Sequence, residues 1–365
     1  MKMKIAFYVH SLTKGGAERA VANIASYLAK SNENITVITS VKNESEYELG
    51  IGVKRVILSD KAFKSSYDRY MKLIIALRRE IKKSKYDIVI PFMSGATIRT
   101  IIASLGYKNK IITSVRNDPN YEYSGFIGKI CAKIILPMVD FCVFQTEDAR
   151  QFFPNRLKCK SIIIPNAVND RFFNRNHKPK LGTIVTCGRL AKQKNQMLLI
   201  DAFSEIVKKY PEFKLFIYGI GEEFNNINQR ILEKQLEKSV FLMGESDRIE
   251  EIYESADIFV LSSDFEGMPN ALMEAMAVGV PCISTDCPCG GPRMLIKNNQ
   301  NGVLVPVDDV QSMSNAIVNL INNPGFKSKI GKEASMSMKN YSLDKVCAMW
   351  LQVIEMVASK NRGML

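Results

Sequence analysis

Histidine is nearly missing from this 365-residue chain: His10 and His177 are the two it has, beside a single tryptophan. That scarcity leaves the eight cysteines few partners for a metal site, and no C-x2-C pair occurs among them. Cys287-Pro-Cys289 comes nearest, but its spacing is wrong for zinc, so the cysteines read as reduced, mostly buried thiols of a cytosolic protein. No apolar run reaches the roughly 18 to 20 residues that a bilayer-spanning helix needs. The longest, around 127–139 and 278–283, are interrupted by Lys or Pro. Met1–Val9 carries two lysines, yet its apolar stretch stops at His10 without the long h-region or cleavage site of a secretory signal. A cytoplasmic location is the expectation. No glycine turn leads into Gly-Lys-Ser/Thr, which excludes a P-loop, and no recognised nucleic-acid-binding module is present.

What the chain does have is the composition of a folded protein, 46% hydrophobic and 24% charged, and enough length for two or three domains. Its net charge of +13 is unevenly spread. Residues 1–180 hold 31 Lys and Arg against 15 Asp and Glu, whereas 181–365 hold 19 against 22. A basic half suits an anionic surface: nucleic acid, acidic phospholipid or a phosphorylated substrate. Composition does not choose among the three.

Lys4–Val9 reads as a buried strand, Gly15-Gly16 as a turn, and Ala17–Lys30, apolar at Val21, Ile24, Ala25 and Leu28, as a helix. Short apolar runs follow at Ile35–Thr39, Val53–Leu58, Asp87–Phe92, Ile111–Val115, Phe141–Gln145 and Ser161–Ile164, mostly separated by helical stretches such as Tyr67–Lys83 and Ile127–Leu136. The polar run 174–180 lacks periodicity. The rhythm then restarts with strands at Leu181–Cys187, Lys214–Tyr218, Val240–Met243, Ile258–Leu261, Cys282–Ser284 and Gly302–Val305. Alternation of this kind predicts an α/β fold of two doubly wound parallel-sheet domains. Expected boundaries are 1–174, a linker at 175–180, 181–341, and a terminal helical element at 342–365 packing back toward the first domain. Ligands of open α/β sheets bind beyond the carboxyl ends of the strands, which predicts a cleft there.

Five constellations sit at such strand ends. Gly15-Gly16-Ala17-Glu18-Arg19 opens the first helix; its glycines serve either a close approach to an anion or the turn's own sterics. Gly188-Arg189-Leu190 with Lys194 offers a guanidinium fork and an ammonium that suit a diphosphate, or form a solvated basic loop. Gly219-Ile220-Gly221-Glu222 is a truncated dinucleotide fingerprint, poor evidence for NAD but acceptable as a glycine turn that lets a nucleotide pass near the backbone. Ser262–Met276 holds Glu266 in the loop and Glu274 in the second turn of the helix that Pro269 and Asn270 begin. The carboxylates stand eight residues apart on different faces, so different tasks follow: Glu266 beside a reacting end, Glu274 accepting from hydroxyls such as a ribose diol. The plainer alternatives are a helix-start acid and an exposed helix residue. The last constellation, Cys289-Gly290-Gly291-Pro292-Arg293, is another strand-to-helix turn, whose glycines either permit a close backbone approach to a ligand or form a plain turn.

Taken in order, GGAER, GRL with Lys194, YGIGE, the Glu266/Glu274 pair and CGGPR resemble glycosyltransferase family 4, nucleotide-sugar-dependent retaining transferases with two Rossmann-like domains in the GT-B arrangement. The resemblance covers nearly the whole chain and is strongest from Gly188 to Asp308. It implies that Arg189 and Lys194 grip the donor diphosphate, with Gly188 and, from the first domain, Gly15 and Gly16 close by. It implies that Glu274 binds the ribose, that Glu266 faces the transferred sugar, and that Gly267, Met268, Pro269 and Asn270 hold sugar hydroxyls and phosphate. A uracil-like base would lie near Gly219, Met243 and Ile249. No cofactor and no divalent metal are expected, because the Arg/Lys pair takes the metal's role. Many relatives carry a histidine where this chain reads Arg116-Asn117-Asp118, which makes those three the acceptor-side candidates.

Donor chemistry in the second domain leaves the basic first domain for the acceptor, read as a glycan on a polyprenyl pyrophosphate at an anionic membrane surface. Tyr67–Lys85 and Tyr121–Leu136, mixing aromatic and aliphatic side chains with Lys and Arg, are the stretches that suit such a surface. Two rivals remain: a nucleotide-sugar epimerase on the same scaffold, which would need no acceptor, and a basic nucleic-acid-binding protein, which would leave the paired glutamates unexplained.

Overall fold

The computed structural model describes residues 2–13, 15–30, 34–59 and 65–359, and these form two compact units. Unit 1 comprises Met1–Ala167 with Leu343–Leu365, and unit 2 comprises Val168–Ser342. The division falls before the expected boundary at 174. The run 175–180 is tied into unit 2 by main-chain hydrogen bonds from Lys178 to Glu254 (3.0 Å) and from Lys180 to Ser255 (2.9 Å). A polar, proline-bearing segment thus reads as a linker although its backbone is paired. The end of the expected 342–365 element, from 360 on, lies outside the described residues. Counted by unit, the charge contrast persists: unit 1 has 30 Lys and Arg against 16 Asp and Glu, unit 2 has 20 against 21.

Unit 1 is a seven-stranded sheet of β1 (Lys4–Val9), β2 (Asn34–Thr39), β3 (Lys54–Ile57), β4 (Ile88–Pro91), β5 (Lys110–Ser114), β6 (Phe141–Phe144) and β7 (Ser161–Ile163). Their order is β3-β2-β1-β4-β5-β6-β7, with every pair parallel. Alternate side chains feed opposite layers. Ile5, Phe7 and Val9 pack with helices Gly16–Lys30 and Leu343–Ser359, while Ala6 and Tyr8 pack with Leu77 and Ile81 of helix Ser66–Ser84 and with Ala96 and Ala103 of helix Ser94–Ala103. The apolar stripe of Tyr67–Lys85 is therefore mainly core: Leu73, Ile74, Leu77 and Ile81 are all buried. Trp350, from the helix near the chain's end, is fully buried and stacks on Phe92 at 5.7 Å.

Unit 2 repeats the plan with β8 (Thr183–Cys187), β9 (Lys214–Tyr218), β10 (Val240–Gly244), β11 (Ile258–Leu261), β12 (Cys282–Thr285) and β13 (Val303–Val305) in the order β10-β9-β8-β11-β12-β13, all parallel. Ile184, Ile258, Val260 and Ile283 feed one core layer, and Val185, Phe259, Leu261 and Cys282 the other. The sequence reading does not place helices Val310–Asn322 and Pro324–Met338, which complete those layers. Strand order reverses between β1 and β4 in unit 1 and between β8 and β11 in unit 2, the switch points where open α/β sheets bind ligands.

Candidate active site

At the unit 2 switch point, the loop after β8 meets the loop after β11. Asn195 adopts a left-handed conformation (φ 42°) and caps helix Gln196–Val207, accepting from the Leu198 N–H at 3.1 Å. Its Nδ2 donates to Asp264 Oδ1 at 2.7 Å. Around it, the Asp264 N–H donates to Gln193 O (2.9 Å), Gln193 Nε2 to Phe265 O (2.8 Å) and Ser262 Oγ to Lys194 O (2.9 Å). Main-chain bonds from Glu266 to Pro288 (2.6 Å) and from Cys289 to Glu266 (2.9 Å) join the loop after β12 to the same cluster. Three loops are thereby held as one rigid platform, the arrangement that keeps charged side chains preorganised.

On it, Lys194 Nζ donates to Glu266 Oε1 at 2.5 Å, and Ser263 Oγ donates to the same oxygen at 2.7 Å. Glu266 is 6% exposed, so this carboxylate is shielded from water and its charge is offset by the neighbouring ammonium. Its charge also reaches Cys287, whose buried thiol is pushed up to about 12, chiefly by desolvation and then by Glu266. Arg189 is different: it is exposed, and its guanidinium makes no ion pair among the described residues. Helix Asn270–Val278 starts where expected and carries Glu274, which is 7% exposed and therefore not the solvent-facing helix residue of the plainer reading. The Glu274 charge acts on the Cys187 thiol at the end of β8, which desolvation already holds well above its usual range. Gly267, Met268 and Pro269 are buried and Asn270 is half-buried.

Several glycines answer to neighbouring loops. A Cβ on Gly219 would lie 1.9 Å from Gly188 O, and one on Gly221 would lie 2.1 Å from Leu190 O. A Cβ on Gly291 would lie 1.7 Å from Gly267 O. These positions need glycine because one loop's backbone crosses another's, a sufficient reason without any ligand. Met243, near the end of β10, is exposed, and Ile249 is half-buried against the core layer of Phe259 and Leu261. Sequence reasoning missed Ser263, Asn195 and Asp264 as supports; the only signal was small polar residues at strand ends.

In unit 1, Gly15 and Gly16 follow β1, and Gly16 opens helix Gly16–Lys30 as an exposed residue. The three acceptor-side candidates, Arg116, Asn117 and Asp118, differ in exposure. Arg116 is buried: Nε donates to Ser114 Oγ (2.7 Å), one terminal nitrogen donates to Asn166 Oδ1 (2.7 Å), and the guanidinium lies 4.8 Å from the Phe92 ring and 5.6 Å from that of Trp350. Burial lowers its pKa to about 9, so it is still a cation at neutral pH. Asp118 is 1% exposed and caps helix Pro119–Glu122 by accepting from the Asn120 N–H at 2.9 Å. Both act in the interior of unit 1, leaving half-buried Asn117 as the one of the three nearest to solvent. Among the described residues no group of three or more His, Cys, Asp or Glu is placed to hold a metal ion, and no helix is long and apolar enough to cross a membrane.

Two tandem doubly wound units with a cation and carboxylate platform at a switch point define a GT-B glycosyltransferase. A solved structure of Anabaena HepE with UDP and glucose shares the fold, with a TM-score of 0.82 at 17% identity over 97% of this chain and 99% of that one. Two family models match consecutive parts, Glycosyltransferase Family 4 over residues 14–172 and Glycosyl transferases group 1 over residues 168–336, and the chain belongs to the family 4 type. A Campylobacter jejuni GalNAc-alpha-(1->4)-GalNAc-alpha-(1->3)-diNAcBac-PP-undecaprenol alpha-1,4-N-acetyl-D-galactosaminyltransferase is 27% identical over 96% of this chain and 98% of its own. An Escherichia coli UDP-Gal:alpha-D-GlcNAc-diphosphoundecaprenol alpha-1,3-galactosyltransferase is 28% identical over 69% and 71%.

Proposed function

We propose that this glycosyltransferase moves a hexose or N-acetylhexosamine from a UDP-sugar, with retention of anomeric configuration, to a glycan carried on a polyprenyl diphosphate in surface-polysaccharide assembly. The acceptor's lipid places the work at the inner face of the cytoplasmic membrane. The observation that carries the reading is the unit 2 platform: an exposed, unpaired Arg189 guanidinium on the same loop as Lys194, which pairs with Glu266 of the facing loop, and buried Glu274 on the helix that the facing loop opens. Both named relatives act on undecaprenyl-diphosphate glycans, and the structural neighbour holds UDP, which supports this donor and acceptor class.

The chemistry follows from charge. Breaking the anomeric C–O bond leaves the electron pair and negative charge on the nucleoside diphosphate, and Arg189 and Lys194 stabilise that charge as it grows. With two cations supplied by side chains, turnover needs no divalent metal and continues in chelator. Glu274 accepts hydrogen bonds from the ribose diol. Glu266 already uses Oε1 for Lys194 and Ser263, so Oε2 is the atom it has for a hydroxyl of the transferred sugar. Backbone groups of 267–270 hold the sugar hydroxyls and phosphate, Pro269 having no N–H to give, while Gly219, Met243 and Ile249 border the base.

A donor screen tests this, following free nucleotide released from UDP-, GDP- and ADP-sugars with bacterial lipid extract as acceptor. The expected result is release from a UDP-sugar that requires the extract and persists in EDTA, with an α-linked product by NMR. Acceptor-independent conversion of the nucleotide sugar would instead identify the epimerase, and silence with every donor would end the proposal.

A further inference from the structure

Between β5 and β6 the chain makes a helical excursion with one face left bare. Helix Gly125–Ile130 runs into a π-helical turn, Cys131–Ile135, and then a 3-10 turn, Leu136–Met138. The inner side buries Ala132, Leu136 and Pro137. The outer side leaves Phe126 80%, Ile127 76%, Ile134 62% and Met138 55% exposed. Phe126, half-buried Ile130, Ile134 and Met138 recur every four residues and Ile127 adjoins Phe126, so these apolar side chains share one side, with exposed Lys129 and Lys133 beside them. Scattered single apolar residues are ordinary on a surface; a contiguous apolar stripe marks a contact.

The neighbouring helix extends this surface. Ser66–Ser84 turns Tyr67, Met71 and Ile75, also four apart, toward solvent, and its Tyr70 lies near enough to Cys131 for that thiol's charge to act on the phenol. The partner's chemistry follows from composition. Residues 121–138 contain one acid, Glu122, whose carboxylate accepts from the Ser94 N–H at 2.6 Å, and the unit that carries them has 30 basic against 16 acidic residues. Protein interfaces favour Trp, Tyr and Arg at their centres, whereas aliphatic and phenyl side chains with lysines at the edge fit the boundary between acyl chains and anionic headgroups.

We propose that residues 121–138 seat the enzyme on an anionic bilayer, with Phe126, Ile127, Ile134 and Met138 entering the acyl boundary and Lys129 and Lys133 held at lipid phosphates. The inference deepens the proposed function, whose acceptor is a lipid, but it is tested separately.

The full-length protein is floated with phosphatidylcholine vesicles, with and without phosphatidylglycerol. Wild type is expected to float with the anionic vesicles, less so in high salt. Phe126→Ser/Ile127→Ser is expected to lose about tenfold or more in partitioning. Lys129→Gln/Lys133→Gln loses less and flattens the salt dependence. Both variants should keep the wild-type melting temperature and wild-type nucleotide release on a detergent-solubilised acceptor. Wild type that stays with the lipid-free fraction, or a Phe/Ile variant that floats as well as wild type, overturns the proposal. So does a wild-type dimer in solution that the same double substitution dissociates, since the face would then belong to a second copy. A failed donor screen beside intact flotation would sink the transferase reading and leave the membrane surface standing.

Discussion

Arg189 and Glu274 differ in what surrounds them, so their removal should fail in different ways. Arg189 is exposed and unpaired, so Arg189→Ala takes nothing from the folded structure, and its melting temperature should match wild type. If it stabilises the departing diphosphate, kcat/KM should drop about a hundred- to a thousandfold. Glu274 is buried, and its proposed contact with the donor is present before as well as during reaction. Glu274→Ala should therefore raise donor KM about ten- to a hundredfold with kcat largely kept, and Glu274→Gln should recover part of the loss. Initial-rate kinetics separate the two; equal effects on kcat and KM in both variants would contradict the assigned roles. Arg116 illustrates where residue-scale reading stops. Its loop position after β5 was legible, but the rings of Phe92 and Trp350 that cover it come from 24 residues upstream and 234 downstream, a conjunction no local pattern contains.

At the scale of elements, the strands were the most legible feature, because parallel strands covered on both faces are near-continuous apolar runs. Lys4–Val9, Lys214–Tyr218 and Ile258–Leu261 end at the residues that their patterns predict, and helix Asn270–Val278 starts where its proline and cap place it. The five glycine-bearing loops were legible as loops, but not by what they touch, since that depends on strand order. Gly219, Gly221 and Gly291 therefore suggest ligand approach in sequence, while the structure fills the space with Gly188 O, Leu190 O and Gly267 O. The consequence is measurable. Gly291→Ala must push apart the loops after β11 and β12, at a cost of about 1–3 kcal/mol and with a matching fall in melting temperature. Because Gly267 lies on the platform to which the proposed function assigns the donor, kcat/KM should fall too. Gly325→Ala, with open space around it in helix Pro324–Met338, is the control and should melt no lower than wild type. Equal melting of the two variants would mean that the loop crossing is not tight.

For the whole molecule, the chain's end belongs to its beginning. Helix Leu343–Ser359 packs on Gly16–Lys30 and inserts Trp350, Val353, Ile354 and Val357 among β1, β4 and β5 side chains, so unit 1 is built from both termini while unit 2 is one continuous segment. Each unit has its own apolar layers on both sheet faces, and independent cores melt as separable transitions when the contact between them is weak. Trp350→Ala should then remove about 3–5 kcal/mol from unit 1 alone. UDP, held by unit 2 in the proposed function, should raise the unit 2 transition by mass action, to the same extent in wild type and variant. Differential scanning calorimetry with and without UDP tests both statements at once. A single transition that Trp350→Ala lowers and UDP raises as one would show that the two units share their stability, and that substitutions in the terminal helix reach the donor platform through it.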